Sequence, residues 1–350
     1  VSPLLRSPGC SPPLISPLGL SRLLSGTSAA VRDSSCAGVL ATAPPPLHNL
    51  SLPGATAWHA LNLTPKLAAA SPATYDVGDR SRYPLVLGLT QSQVTAMLVR
   101  GASLVSVELG AAEVLDAATG GLVNAAAAYP RKAPATYVPA TLFGPVYAAI
   151  ADSVKKSGAR VVLLSVPRVS TLGALRAGSE LWTDRAALAA FNVVVAADCN
   201  GSSNRVFTAA VVPALAARAL TTGAGQPLSC ADVAGATDHV LTPGDIVTLD
   251  AVVDQMNDQV RQLAEHNGWA FLDLNLALGA ATATRAPYGA ATALHCASPY
   301  GQYVSLDGVQ PTVAGQQLIA NAAAMALNAR YRIAIPVVSV APLAAAQLCP

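Results

Sequence analysis

Arg160-Val161-Val162-Leu163-Leu164-Ser165-Val166 is an apolar run of strand length, closed by Pro167. Consecutive aliphatic and β-branched residues leave the strand no polar face, as in a parallel strand covered by helices on both sides. Residues 103–109 (Ser-Leu-Val-Ser-Val-Glu-Leu) repeat the pattern and stop at Gly110, and residues 269–274 (Trp-Ala-Phe-Leu-Asp-Leu) supply a third strand. A shorter candidate at 47–52 ends in Pro53-Gly54. Helical periodicity fills the spaces between. Residues 141–157 set Val146, Ile150 and Val154 on one face before Gly158. Thr242-Pro243 opens a helix to His266, with Leu249, Val252, Val253, Met256, Val260 and Leu263 inward and Asn267-Gly268 as its stop. A last helix spans 312–329, with Leu318, Ile319, Ala322 and Met325 inward. The alternation predicts an α/β fold, a three-layer α/β/α sandwich around a mostly parallel sheet. Function in such folds gathers at the carboxyl ends of the strands.

The 350 residues are expected to form one domain. It would carry a Pro/Ser-rich N-terminal loop at 1–48, an insertion or lid at 170–241 and an apolar tail at 332–350. Hydrophobic residues make up 52% of the chain and mean hydropathy is +0.44. That excess is largely Ala and Val interrupted by 26 Gly and 26 Pro, so no membrane-spanning segment is expected. A net charge of +2 with scattered Lys and Arg argues against nucleic-acid partners and against a polybasic anchor.

Cys10, Cys36, Cys199, Cys230, Cys296 and Cys349 form no C-x-x-C pair. His295 beside Cys296 is poor geometry for one metal, and no metal or other cofactor is expected. An even count in loop-like surroundings predicts disulfides. Chain order suggests Cys10–Cys36 and Cys199–Cys230, leaving Cys296–Cys349, although fifteen pairings are formally open. A secreted or extracellular protein follows, at a cell surface or in a periplasm; buried free thiols in a cytosolic protein are the competing reading. No signal-peptide pattern opens the chain, so any such peptide is expected to have been removed.

Three short blocks stand in order along the strands: Asn49-Leu50-Ser51-Leu52-Pro53-Gly54-Ala55, Leu109-Gly110-Ala111-Ala112-Glu113-Val114-Leu115, and Ser305-Leu306-Asp307-Gly308-Val309-Gln310-Pro311-Thr312. With the turn Val166-Pro167-Arg168-Val169, they make residues 8–338 resemble the SGNH, or GDSL-type, hydrolases, a family of esterases and lipases. The resemblance implies a flavodoxin-like sheet and an oxyanion hole using the Gly54 N–H and a side chain at position 112. It also implies an Asp-x-x-His pair at 307 and 310. The departures are as informative. No Gly-Asp-Ser nucleophile block lies upstream of Pro53-Gly54, Ala112 stands for the usual Asn, and Gln310 stands for the His. An amide exchanges no proton near neutral pH and cannot serve as a general base. Loss of one oxyanion donor costs about 10²–10³ in turnover, and loss of a triad Ser or His on the order of 10⁶. Gly54 and Asp307 are the recognisable remnants.

The expectation is therefore an exported, catalytically inactive protein of this fold with a structural, self-assembling (even filament-forming) or binding role. The alternative is a secreted ester hydrolase whose serine block lies outside these residues. His48 and His59 are the histidines nearest the implied site, with His239, His266 and His295 more distant; Ser51 and Ser305 stand at no sharp strand-to-helix turn. Glu113 and Asp116 read either as a carboxylate pair or as acidic residues at a helix N-terminus. Asn49, Asn62 and Asn200 begin N-x-S/T sequons. The sequence identifies no glycan or ester ligand. A missing first block also removes a strand and opens a sheet edge. Residues 333–341 (Ile-Ala-Ile-Pro-Val-Val-Ser-Val-Ala) are apolar and β-prone. They either pack on the outside or add to the sheet, in the same or a neighbouring molecule, the latter giving a homo-oligomer or open assembly.

Overall fold

In the computed structural model of the protein, the described residues are 48–71, 74, 80, 83, 84, 86–130, 136–283, 300–305 and 308–338. The described chain passes through 48–52 without regular structure and enters α1 (Ala57–Asn62), α2 (Pro65–Ala70) and α3 (Gln93–Arg100). Next come β1 (Leu104–Val107), α4 (Ala111–Gly120), α5 (Ala140–Lys155) and β2 (Arg160–Leu164). The stretch expected as an insertion holds β3 (Leu175–Ala177), α6 (Gly178–Thr183), α7 (Arg185–Ala189), β4 (Val193–Val195), β5 (Arg205–Phe207), α8 (Thr208–Thr222), β6 (Gln226–Leu228) and β7 (Val240–Leu241). It is followed by α9 (Pro243–Asn267), β8 (Ala270–Leu272), α10 (Leu274–Ala283) and α11 (Val313–Tyr331).

The fold is mixed α/β with small, mostly parallel sheets. β1, β2 and β8 form a parallel sheet in the order β1-β2-β8, with Leu104 opposite Arg160 and Leu163 opposite Phe271. β3, β5 and β7 pair antiparallel, and β4 pairs parallel with β6. The three long apolar runs are thus strands of one parallel sheet. Of residues 47–52, expected as a strand, 48–52 are described and join no ladder, because a strand exists only through its partner and none pairs with them among the described residues.

Alternation along β2 divides the core. Val161 and Leu163 pack in the cluster that includes Phe143, Tyr147 and Ile150 of α5 and Met256 and Val260 of α9. Val162 and Leu164 turn the other way, toward Leu272, Leu274 and Leu327 beneath α11. Helices therefore cover both faces. The helix ends follow local chemistry. Thr242 and Asp245 close a capping box at the start of α9, Pro243 occupies its first turn, and Gly268 ends it in the left-handed region.

Pro167 has no N–H, so the ladder stops there and Val166 needs other partners. Its N–H donates to Asn257 Oδ1 at 2.6 Å, and its carbonyl accepts from Asn257 Nδ2 at 3.0 Å and Asn275 Nδ2 at 2.9 Å. Asn257 is buried on α9 between Met256 and Val260.

Cys199 and Cys230 form the expected disulfide, both buried, with Cα atoms 5.0 Å apart across a separation of 31 residues. Cys10, Cys36, Cys296 and Cys349 lie outside the described residues. No described helix is long and apolar enough to cross a membrane. The described tail lies back along α11. Ile335 exchanges hydrogen bonds with the Asn328 side chain at 2.7 and 2.9 Å, and Val338 with Asn321 at 2.8 Å each way. Ile333 and Ile335 pack on the cluster under α11, so residues 333–338 take the outside position.

Asn257→Ala leaves a buried N–H without a partner and is expected to cost about 2–3 kcal/mol of unfolding free energy, read by urea denaturation. An equally stable variant would show that the asparagine clamp does not hold the end of β2.

Candidate functional site

The carboxyl ends of β1 and β2 open into a cleft of about 140 Å³. Glu108 and the first turns of α4 form one wall, residues 167–173 another, and Tyr303, Val304, Val309, Gln310 and Pro311 the third. Two glycines permit this approach. Gly110 has φ +121°, and a Cβ there would stand 2.3 Å from Val166 Cγ2, so the start of α4 meets the end of β2 only without a side chain. Gly308 has φ +71°, and a Cβ there would stand 2.1 Å from the Ala174 Cβ. Its carbonyl accepts from Ala174 N at 3.3 Å. Ser305 N donates to the Gln310 carbonyl at 2.7 Å, and Thr312 caps α11 by accepting from Gly315 N at 3.2 Å. These bonds hold Ser305, Gly308, Gln310 and Thr312 before α11, with Gln310 exposed on the rim.

Of Gly54, Ala112 and Gln310, Gln310 alone lines the cleft. Gly54 occupies a left-handed turn at φ +79° with open space where a Cβ would stand. Ala112 is half-buried in the first turn of α4, where its neighbour Ala111 faces the cleft. Asp307 lies outside the described residues. The histidines have other positions. His59 Nδ1 accepts from Thr56 N at 3.2 Å in the capping box of α1, and its ring meets Trp58 edge-on at 5.8 Å. His239 Nδ1 is 2.6 Å from the Thr119 carbonyl. His266 is exposed in the last turn of α9, His48 is exposed beside a second cavity, and His295 is not described. Ser51 is bonded to Asn49, and Asn49, Asn62 and Asn200 are all at the surface.

Glu113 and Asp116 part company. Asp116 is exposed, whereas Glu113 is fully buried and accepts from Ala57 N at 2.6 Å and Tyr129 Oη at 2.9 Å. Glu113 stands in the first turn of its own helix, as expected, and its carboxylate also meets the positive end of α1. Glu108 borders both cavities. Its side chain keeps solvent contact where the cavities open, but the protein around it desolvates the carboxyl enough to raise it above the usual 4.5. Tyr147 is raised by burial first, then by the charges of Glu108 and Glu113, and its buried hydroxyl has no hydrogen-bond partner among the described residues.

The second cavity, about 620 Å³, is a groove between residues 48–51 and β1. Val94, Met97 and Arg100 of α3 and Ile150 and Val154 of α5 complete it. Asp198, Cys199 and Cys230 gather potential metal-ligand atoms, but both sulfurs are committed to the disulfide. Sequence reasoning overlooked Asn257, whose signal was a polar residue within an apolar helix face. It also overlooked Arg176, buried at 1% exposure with Nε donating to the Gly173 carbonyl at 3.1 Å. No sequence signal separates Arg176 from a surface arginine.

No protein-family model matches the chain, and no curated protein or solved structure matches it either.

The folded protein holds the Glu108 proton more tightly than the unfolded chain does. Between 4.5 and the raised folded value, unfolding releases that proton, so stability falls as pH rises through this window. Glu108→Gln has no such penalty. Urea midpoints at pH 4 and pH 7 are expected to favour the variant increasingly toward neutral pH, and a constant difference would contradict the assignment.

Proposed function

We propose that this chain is a degenerate relative of the SGNH, or GDSL-type, hydrolases that keeps a three-layer α/β/α architecture but not the ester chemistry. It serves as an exported structural, self-assembling or binding protein. One observation carries the reading: among the described residues, no serine, cysteine or histidine lines the cleft at the strand ends. Its polar groups are Glu108, Thr171, Tyr303, Gln310 and Gln316. Acyl transfer needs a nucleophile within hydrogen-bond reach of a base, and Gln310 is no base. The backbone bond from Ser305 to Gln310 and the Thr312 cap support a retained architecture, because they seat α11 without needing a titrating group. The Cys199–Cys230 bond supports an oxidising compartment and hence export.

A second reading has its own support. The groove beside β1 runs up to Glu108, which also borders the cleft, so a strand laid in it would bring its end to the cleft mouth. A serine carried there would make the protein a secreted ester hydrolase.

The two readings separate in one assay. The purified protein is expected to show no labelling by a fluorophosphonate probe and no p-nitrophenyl ester turnover above the uncatalysed rate. Gln310→His should also stay at background, because losses within one catalytic unit are not additive and a nucleophile's absence alone costs on the order of 10⁶. A labelled serine would establish the hydrolase instead.

A further inference from the structure

Among the described residues, Glu108 is the one charged group that lines the cleft, and it borders the second cavity as well. Its carboxyl forms no ion pair and accepts no hydrogen bond there. The elements around it bring no cation. Arg168, in the 167–173 wall, is held by Asp254, with Nε 2.8 Å from Oδ1 and Nη2 2.9 Å from Oδ2. Arg100 of α3 lines the second cavity alone, and its Nη1 donates to the Ala96 carbonyl at 2.9 Å. Glu113 and Asp116 of α4 have the same sign as Glu108. Tyr147 of α5, Tyr303 and the exposed His48 complete the ionisable groups on this side of the sheet. A carboxyl so placed has only a proton to neutralise it, and its rise above the usual range records that.

The remaining walls are apolar: Ala111 and Val114 of α4, Val169 and Leu172 opposite, Leu274 of α10 and Ile319 of α11. The volume of about 140 Å³ matches an apolar cavity of about 150 Å³, which accepts a single benzene ring. An anion entering this space would meet Glu108 at like charge, and an uncharged ligand would leave the carboxylate without a counter-charge.

We infer that the cleft binds a small organic ammonium ion, a single cationic nitrogen on an apolar body the size of one ring, with Glu108 as its counter-charge. The apolar body fills the space between α4, the 167–173 wall and α11. The nitrogen stays at the open side, where Gln310 and Gln316 offer amide oxygens and Tyr303 a hydroxyl to its other N–H groups. Partial desolvation strengthens such a pair beyond one on an open surface.

This inference rests on the binding role proposed above and fails separately. A protein that ignores the ammonium ion and leaves the fluorophosphonate untouched would sink the site and keep the inactive reading, whereas a labelled serine would sink that reading whatever the cation does. The full-length protein would be titrated with benzylammonium, with benzyl alcohol and with benzoate, followed by NMR chemical shifts. At pH 8 the cation is expected to bind about tenfold more tightly than the alcohol, and benzoate more weakly than either. Affinity for the cation should rise from pH 4 to pH 8 as Glu108 loses its proton, while that for the alcohol stays level. Glu108→Gln keeps the shape of the side chain; it is expected to lower the cation to the affinity of the alcohol and to flatten the profile. His48→Gln should keep the rise. No saturable binding of the cation, equal affinities for cation and alcohol, a level profile, a rise lost with His48→Gln, or a Glu108→Gln protein that binds the cation as wild type does would each overturn the inference. Should Glu108→Gln not fold, the wild-type and His48→Gln profiles decide.

Discussion

A parallel strand buried on both faces must satisfy its whole backbone inside the protein, and β2 is where this constraint bears hardest. Its four buried residues, Val161 to Leu164, are at most 4% exposed. Neighbouring strands supply the ladder along its length, α5 and α9 shield one face, and α11 shields the other. At its carboxyl end Pro167 forbids continuation, so Asn257 and Asn275 act as a surrogate strand for one residue. The cleft opens where that substitution occurs. Site and scaffold therefore share one cause, the need to end a buried ladder without leaving a polar group unpaired.

What the sequence could convey divides along the same line. Strands β1, β2 and β8 were legible because continuous apolar runs have few other uses, and α9 was legible because Thr242, Asp245 and Gly268 act within a turn of their own positions. Residues 49–52 were misjudged because apolar alternation cannot report whether a neighbour is present. The small strands β3, β5 and β7 are two or three residues each, too short for a periodic signal, and exist through pairing across the 170–241 stretch. The cleft was less legible. Gln310 lines it, but the buried link from Glu113 to Ala57 spans 56 residues, and no local rule connects them.

Glu113 also clarifies what kind of site this is. A carboxylate at 0% exposure, bonded to a helix N–H and a tyrosine hydroxyl, is committed to holding α1 against α4. Thr312, Gly308 and the backbone bond from Ser305 to Gln310 similarly fix the last helix. Polar groups around the strand ends thus work chiefly as joints between elements. Glu108 and Tyr147, raised by burial, are the ionisable groups that these joints leave over.

Tyr331 closes the structure in a way that matters during synthesis. Its hydroxyl accepts from Val161 N at 2.9 Å and donates to the Val161 carbonyl at 3.0 Å, joining the end of α11 to the start of β2 across 170 residues. On a ribosome, β2 emerges long before α11 exists. Throughout that interval Val162 and Leu164 have no helix above them, and a nascent chain presents this bare face to whatever else is in solution. Translation that stops short of α11 would yield a sheet with one oily side, and a chaperone would have its longest task at that face.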